Sequence, residues 1–228
     1  ASGVWVNEKA ETSVKGLYSA GDMAAVPHNY MLGAFTYGWF AGENAAEYVT
    51  DIDSGELNQA DIEAEKARIY APLEVKEGLP ADQVEYKLRR FVNDYLQPPK
   101  TRQKIEIGLR RFEEIKHDIA QIKANNPHEL MRAAEVSFIR DCAEMAARAS
   151  LFRTESRWGL YHYRADFPAT NNSDWFCHTH LKKDENDNMV SFKKPVEPYV
   201  VPIEAQEKDS YNQLRIQKDQ PLKAAEAI

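Results

Sequence analysis

The stretch KIEIGLRRFEEIKHDIAQIK, residues 104–123, decides the fold. Ile105, Leu109, Phe112, Ile115, Ile119 and Ile122 recur at three-to-four spacing and share one helical face, while Arg110, Arg111, Glu113 and Glu114 fall elsewhere. A helix of this kind buries one stripe and needs neighbours. Upstream, Val84, Leu88, Phe91, Val92 and Tyr95 form a second stripe after Pro80, a residue that a first helical turn tolerates. Downstream, Asn126, Pro127 and Glu129 predict the cap, first position and returning capping bond of a third helix reaching about Phe152. Its inward residues are expected to be Leu130, Ala134, Phe138 and Met145. A shorter helix from about Ala60 to Tyr70 precedes the three. The short polar links Gln97-Pro98-Pro99-Lys100 and Asn125-Asn126 complete the pattern of an antiparallel three-helix bundle, spectrin-repeat-like, in a mainly α protein.

The flanks differ in character. Residues 1–52 are rich in glycine, alanine and aromatics, and Gly3 to Asn7 with Lys15 to Asp22 read as two short strands around a polar turn. A helix from Leu32 to Val49 follows, with the texture of one packed closely on all sides. The domains expected are therefore a small α/β segment at 1–52, the helical bundle at 53–153, and an extended arm and tail at 154–228. Prolines at 168, 195, 198, 202 and 221 predict that this arm is irregular. Val4, Trp5 and Val6 alternate like a strand already under way, without an initiator Met, which suggests a fragment.

Composition narrows the function. The 228 residues are 43% hydrophobic and 29% charged, which excludes disorder and fibre. Basic residues number 29 against 36 acidic, a formal −7, and they are interleaved, so nucleic acid is not an expected partner. The richest apolar stretch, Tyr30 to Phe40, is too short and glycine-broken to span a membrane. Two cysteines, Cys142 and Cys177, make no disulfide framework, and together with the absence of a signal-peptide pattern they point to a cytoplasmic protein.

Cys177, His178 and His180 are zinc-type ligands, but a closed site wants a fourth, for which His162 or Asp174 would have to fold back; no metal is expected. The ten glycines never take the G-x-G-x-x-G spacing of a dinucleotide-binding turn. Arg153, Glu155, Arg157, His162, Arg164 and Asp166 form a dense ionisable cluster suited to a buried ion-pair latch or to anion recognition, the latch being the simpler reading.

Two separated stretches resemble the flavoprotein subunits of the fumarate reductase and succinate dehydrogenase family, which includes L-aspartate oxidase and the adenylylsulfate reductase alpha subunit. TSVKGLYSAGD, residues 12–22, is similar to the family's T-S-V-x-G-L-Y-A-A-G-[ED], and HNYMLGAFTYGWFAG, residues 28–42, follows it. ESRWGLYHYRADFP, residues 155–168, and DWFCHT, residues 174–179, are similar to E-S-R-G-x-H-x-R-x-D-x-P and N-W-x-x-H-T. The resemblance covers residues 1 to about 180. It implies the C-terminal third of a larger flavoprotein, so that residues 1–52 are the α/β remnant of an FAD-binding domain, with its dinucleotide fingerprint and capping domain upstream.

The resemblance implies roles residue by residue. Asp22 matches the acidic residue that holds the FAD ribityl hydroxyls, a task for a group offering only acceptors. Tyr30 and Met31 fall where the family presents backbone N–H groups at a helix start to the flavin pyrimidine edge. His28 matches the histidine that binds or polarises substrate. The family's H-G-A-N-R-x-x-G-N-S is shortened here to His28-Asn29-Tyr30-Met31-Leu32-Gly33, and the clamping or proton-donating Arg has no counterpart. The spacing is closer to that of the adenylylsulfate reductase alpha subunit. Trp158, where the motif has Gly, is a second departure. The expected function is the C-terminal part of an FAD-dependent oxidoreductase, inactive and without FAD on its own, with an iron–sulfur subunit as electron partner. The rival is a non-enzymatic helical protein-interaction module.

Overall fold

The computed structural model describes residues 3–26, 30–53 and 55–196 and is mainly helical. Two units separate by their contacts, Ala1–Ile62 and Glu63–Ile228.

In the first unit the main element is helix α1, Tyr30–Thr50. The two strands expected before it are not formed. Isolated bridges, Val4 with Ala24 and Glu11 with Tyr18, take their place. The intervening chain turns too tightly for a ladder: Asn7 Oδ1 accepts the N–H groups of Lys9 and Glu11, and Ala10 and Gly16 take left-handed φ values of 63° and 79°. The close packing expected around α1 is also absent among the described residues. Met31, Leu32, Phe35 and Trp39 are 70%, 68%, 69% and 70% exposed, and Gly33 is its one buried residue among those described.

The boundary between units falls within helix α2, Gln59–Glu74. The second unit is built on α3 (Ala81–Leu96), α4 (Arg102–Ile119) and α5 (Pro127–Phe152), each of which packs on the other two. Val84, Leu88, Ile105, Phe112 and Ile115 fill the core at 0–2% exposure, as their periodicity predicts. Leu109 and Ile119 lie partly buried against them. Ile122 is buried too, but outside the helix: α4 stops at Ile119, and β2 (Ile122–Lys123) pairs in parallel with β1 (Leu79–Pro80). A Cβ on Gly78 would stand 2.4 Å from the Gln121 carbonyl oxygen, so this crossing admits only glycine.

Helix α5 starts as expected. Asn126 Oδ1 accepts the Glu129 N–H at 3.0 Å, and Glu129 returns bonds to the Asn125 N–H and the Asn126 side-chain amide. Its register differs from expectation. The core face is Ala133, Val136, Ala143 and Ala147, whereas Phe138 and Met145 are 61% and 40% exposed. Two apolar faces run along this helix, and the one with small residues is the one that fits against α3 and α4.

The arm is not irregular throughout. After the short helix α6, Asn172–Trp175, strands β3 (Cys177–Lys183) and β4 (Met189–Pro195) pair antiparallel. Asp184 Oδ1 closes the turn by accepting the N–H groups of Asn186 and Asn188. Pro195 ends the hairpin, where a missing donor does no harm.

Candidate functional site

The ionisable cluster expected at 153–166 is a buried clasp. Arg153 leaves α5 as its C-terminal flank, and Glu155, at 0% exposure, accepts from it and from Arg157 Nε at 2.6 Å and Nη2 at 3.0 Å. The Asn171 N–H adds a fourth donor at 2.8 Å. Burial pushes the Glu155 carboxyl up, but these hydrogen bonds and the Arg157 and Arg153 charges outweigh it and hold it below the usual carboxylate range. Arg153 reaches on to the carbonyls of Trp175 and Cys177, at 3.0 and 2.6 Å, and to Thr179 Oγ1 at 3.3 Å. One guanidinium thus ties the helix end to the hairpin.

Arg164 does the equivalent at the other side. Fully buried, it donates from Nη1 to the carbonyls of Ser150 (2.5 Å) and Arg153 (3.1 Å), satisfying acceptors that a helix terminus leaves open. Its Nε and Nη2 pair with Asp166 at 2.8 and 2.7 Å. Asp166 Oδ2 also accepts the Arg102 N–H at 2.8 Å, in the first turn of α4, where a helix welcomes negative charge. The Arg164 hydrogen bonds dominate in holding Asp166 down at about 2.

His162 lies among cations. Burial, then the charge of Lys100, lowers it to about 4, and its Nε2 is buried without a hydrogen-bond partner. Lys100, 62 residues away in sequence, was invisible to motif reading. Its backbone exchanges bonds with Tyr163 and Ala165, and its Nζ donates to Ser150 Oγ at 3.1 Å. Trp158 takes φ 59°, the left-handed conformation that a glycine at the motif position would adopt freely, and its ring lies 5.9 Å from the Arg153 guanidinium. With every arginine committed to protein acceptors, the clasp is a structural latch.

The zinc-type residues do not converge. Cys177 and His178 are neighbours on β3 and point to opposite faces, while His178 and His180 share one, ring centroids 6.2 Å apart. No group of three His, Cys, Asp or Glu side chains among the described residues could hold a metal.

The cofactor candidates belong to the first unit. Asp22 sits exposed in a one-turn 3-10 helix, Gly21–Met23, entered through Gly21 at φ 65°. A Cβ at Gly21 would lie 3.6 Å from the Ala34 Cβ, so the turn rests on the first turns of α1. Tyr30, at φ 51° and 91% exposed, opens α1, and Met31 follows. No acidic side chain occupies that first turn. Asp22 and the start of α1 are brought to one side of this unit. His28 lies outside the described residues.

The chain is thus a mainly helical unit latched by an arginine-rich arm, preceded in sequence by a segment that carries Asp22 and the start of α1. The family model described as fumarate reductase flavoprotein C-term matches residues 85–211, and the chain belongs to that family. An uncharacterised FAD-dependent oxidoreductase of Methanocaldococcus jannaschii is 29% identical over 176 residues, 74% of this chain and 32% of that protein. The succinate dehydrogenase flavoprotein subunit of Rickettsia felis is 25% identical over 197 residues, 80% of this chain and 33% of that protein. The structure of adenylylsulfate reductase from Archaeoglobus fulgidus superposes with a TM-score of 0.78 at 29% identity, over 87% of this chain and 35% of that one. The chain spans about a third of the length of the curated relatives it matches. Among the described residues, no helix is long and apolar enough to cross a membrane.

Proposed function

We propose that this chain is the C-terminal part of the flavoprotein subunit of an FAD-dependent oxidoreductase. The observation that carries the reading is the family match over residues 85–211, joined to the exposed Asp22 in the turn that rests on α1. In this reading residues 1–52 complete an FAD-binding domain, 53–153 form an antiparallel three-helix bundle, and 154–228 are an arm and tail.

The residues present fit a flavin. Asp22 would accept from the ribityl hydroxyls, since a carboxylate offers acceptors alone, and the Tyr30 and Met31 N–H groups would donate to the pyrimidine edge. When bound, FAD supplies the two-electron chemistry; this chain orients the ring and favours negative charge on it through the α1 terminus. His28 would hold or polarise the substrate. Because the family's arginine has no counterpart after His28, the substrate is left unassigned and fumarate or succinate is not favoured. The upstream FAD-binding and capping domains of the same chain are the obligatory partners, an iron–sulfur subunit is the electron partner, and the setting is cytoplasmic. Alone, residues 1–228 hold too little of the cofactor surface to bind FAD or turn over.

The test is the absorption spectrum of the full-length protein before and after acid precipitation. Flavin bands support the reading, and their loss to the supernatant or retention in the pellet distinguishes non-covalent from covalent attachment. A colourless protein that also fails to take up added FAD would favour the interaction module and remove the roles given to Asp22, His28, Tyr30 and Met31.

A further inference from the structure

The outer face of α5 carries a second apolar stripe that the three-helix core leaves uncovered. Phe138 is 61% and Met145 40% exposed, and Cys142, between them in sequence, is exposed too. Beside this stripe an open trough of about 630 Å³ runs between α5 and the C-terminal half of α3, with Val92, Leu96 and the 87% exposed Tyr161 on its walls. An uncovered apolar surface of this kind marks a place where another segment docks.

The fold brings one particular segment to this trough. Both strands of the hairpin pack on α5. Cys177 and Pro195 are paired, and the Cys177 carbonyl accepts from Arg153 Nη2 at 2.6 Å, so β4 ends beside the C-terminal end of α5. Ala146, at the near end of the trough, lies roughly 10 Å before Arg153 along the helix. The sequence that follows β4 includes the apolar run Pro198-Tyr199-Val200-Val201-Pro202-Ile203, and the family match continues through it to residue 211. An extended stretch over 199–203 measures roughly 15 Å, against roughly 12 Å for residues 138–146 of a helix. Prolines at 198 and 202 leave fewer N–H donors to satisfy against an apolar floor, and the open side of the trough leaves the others within reach of water.

We propose that residues 199–203 lie along this trough as an extended strap, covering Phe138 and Cys142 and tying the chain beyond the hairpin back onto the bundle. The strap is independent of flavin binding and of the residues assigned to it.

The test reads the reactivity of Cys142, a residue lining the trough, in the full-length protein. Alkylation by N-ethylmaleimide is followed by peptide mass spectrometry, with Cys177 as the internal reference. In the intact chain Cys142 is expected to react about tenfold or more slowly than in a chain ended after Val196, because a tethered segment competes at an effective concentration in the millimolar range. Truncation ends the chain at the hairpin itself, so a second variant, Val201→Asp, keeps the full length; it should speed Cys142 to the same degree and leave Cys177 unchanged. Fast reaction in the intact chain would show the trough open. Slow reaction in both intact and truncated chains would show it covered by an earlier part of the polypeptide or by a second copy. Acceleration by truncation but not by Val201→Asp would assign the protection to residues other than 199–203. Each of these three results would overturn the strap, and the flavin spectrum of the same protein stands or falls separately.

Discussion

Helices α1 and α5 are both long, alanine-bearing and interrupted by aromatics, yet they are buried very differently. Gly33 is the one buried residue of the 21 in α1, while α5 buries Ala133, Val136, Arg140, Ala143, Ala147 and Ser150 of its 26. The small residues of α5 meet the large ones of α3 and α4, and its polar exceptions are paired: Arg140 Nε donates to the Phe112 carbonyl at 3.1 Å and Nη1 to Asp141 at 2.6 Å. The apolar residues of α1 meet nothing comparable among the described residues. Glycine- and alanine-rich texture therefore tells that a helix can be approached closely, not that anything in the same chain approaches it.

The contrast can be broken most severely in the second unit. Phe112→Ala removes a side chain with 0% exposure from the shared core and should cost about 3–5 kcal/mol in urea unfolding. An effect below about 1 kcal/mol would mean that the three helices do not share one core. Glu155→Gln should cost about 3 kcal/mol, the low end for a broken buried pair, because the amide still accepts from one arginine. Wild-type stability in that variant would show the clasp to be ornamental.

The pH profile sharpens the same point. The folded state holds His162 at about 4, below its ordinary 6.5, so the unfolded chain binds the extra proton first. Stability is full above pH 6.5 and falls by up to about 3 kcal/mol as pH drops from 6.5 to 4. His162→Gln should flatten that part of the melting curve; an unaltered slope would assign it to other groups. Asn126→Ala should cost about 1 kcal/mol by removing the α5 cap, read from the same urea transitions. Smallest of all, Phe35→Ser on α1, 69% exposed, should move the melting temperature of residues 1–228 by less than the equivalent of about 0.5 kcal/mol. A larger loss would show that α1 is covered after all.

What was legible in the sequence follows the range of the forces involved. Ile105, Phe112 and Ile115 announced their helix because a stripe is a local pattern, and Asn126 with Glu129 announced a cap because both partners sit within one turn. The face chosen by α5 was not legible, since Phe138 and Ala143 lie on equally apolar stripes and the choice depends on the shape presented by α3 and α4. The hairpin was hidden by Pro195 and by the polar turn at 184–188. Of the site, the clasp acids and arginines were visible as a cluster, but Lys100, Ser150 and Thr179 join it only through tertiary contact. Asp22, Tyr30 and Met31 are candidates through the motif resemblance alone, and the structure adds that the turn of Asp22 rests on α1.

The double attachment of Asp166, to Arg164 and to the first turn of α4, bears on where this polypeptide can be interrupted. Residues 154–166 brace the C-terminal end of α5 and the N-terminal end of α4 at once, so extra residues spliced in after Arg153 would pull both braces out of register. The hairpin loop at 184–188, bonded chiefly within itself, would accept the same insertion with little disturbance. Length variation among natural versions of this region should therefore collect in that loop and spare the junction between α5 and the arm.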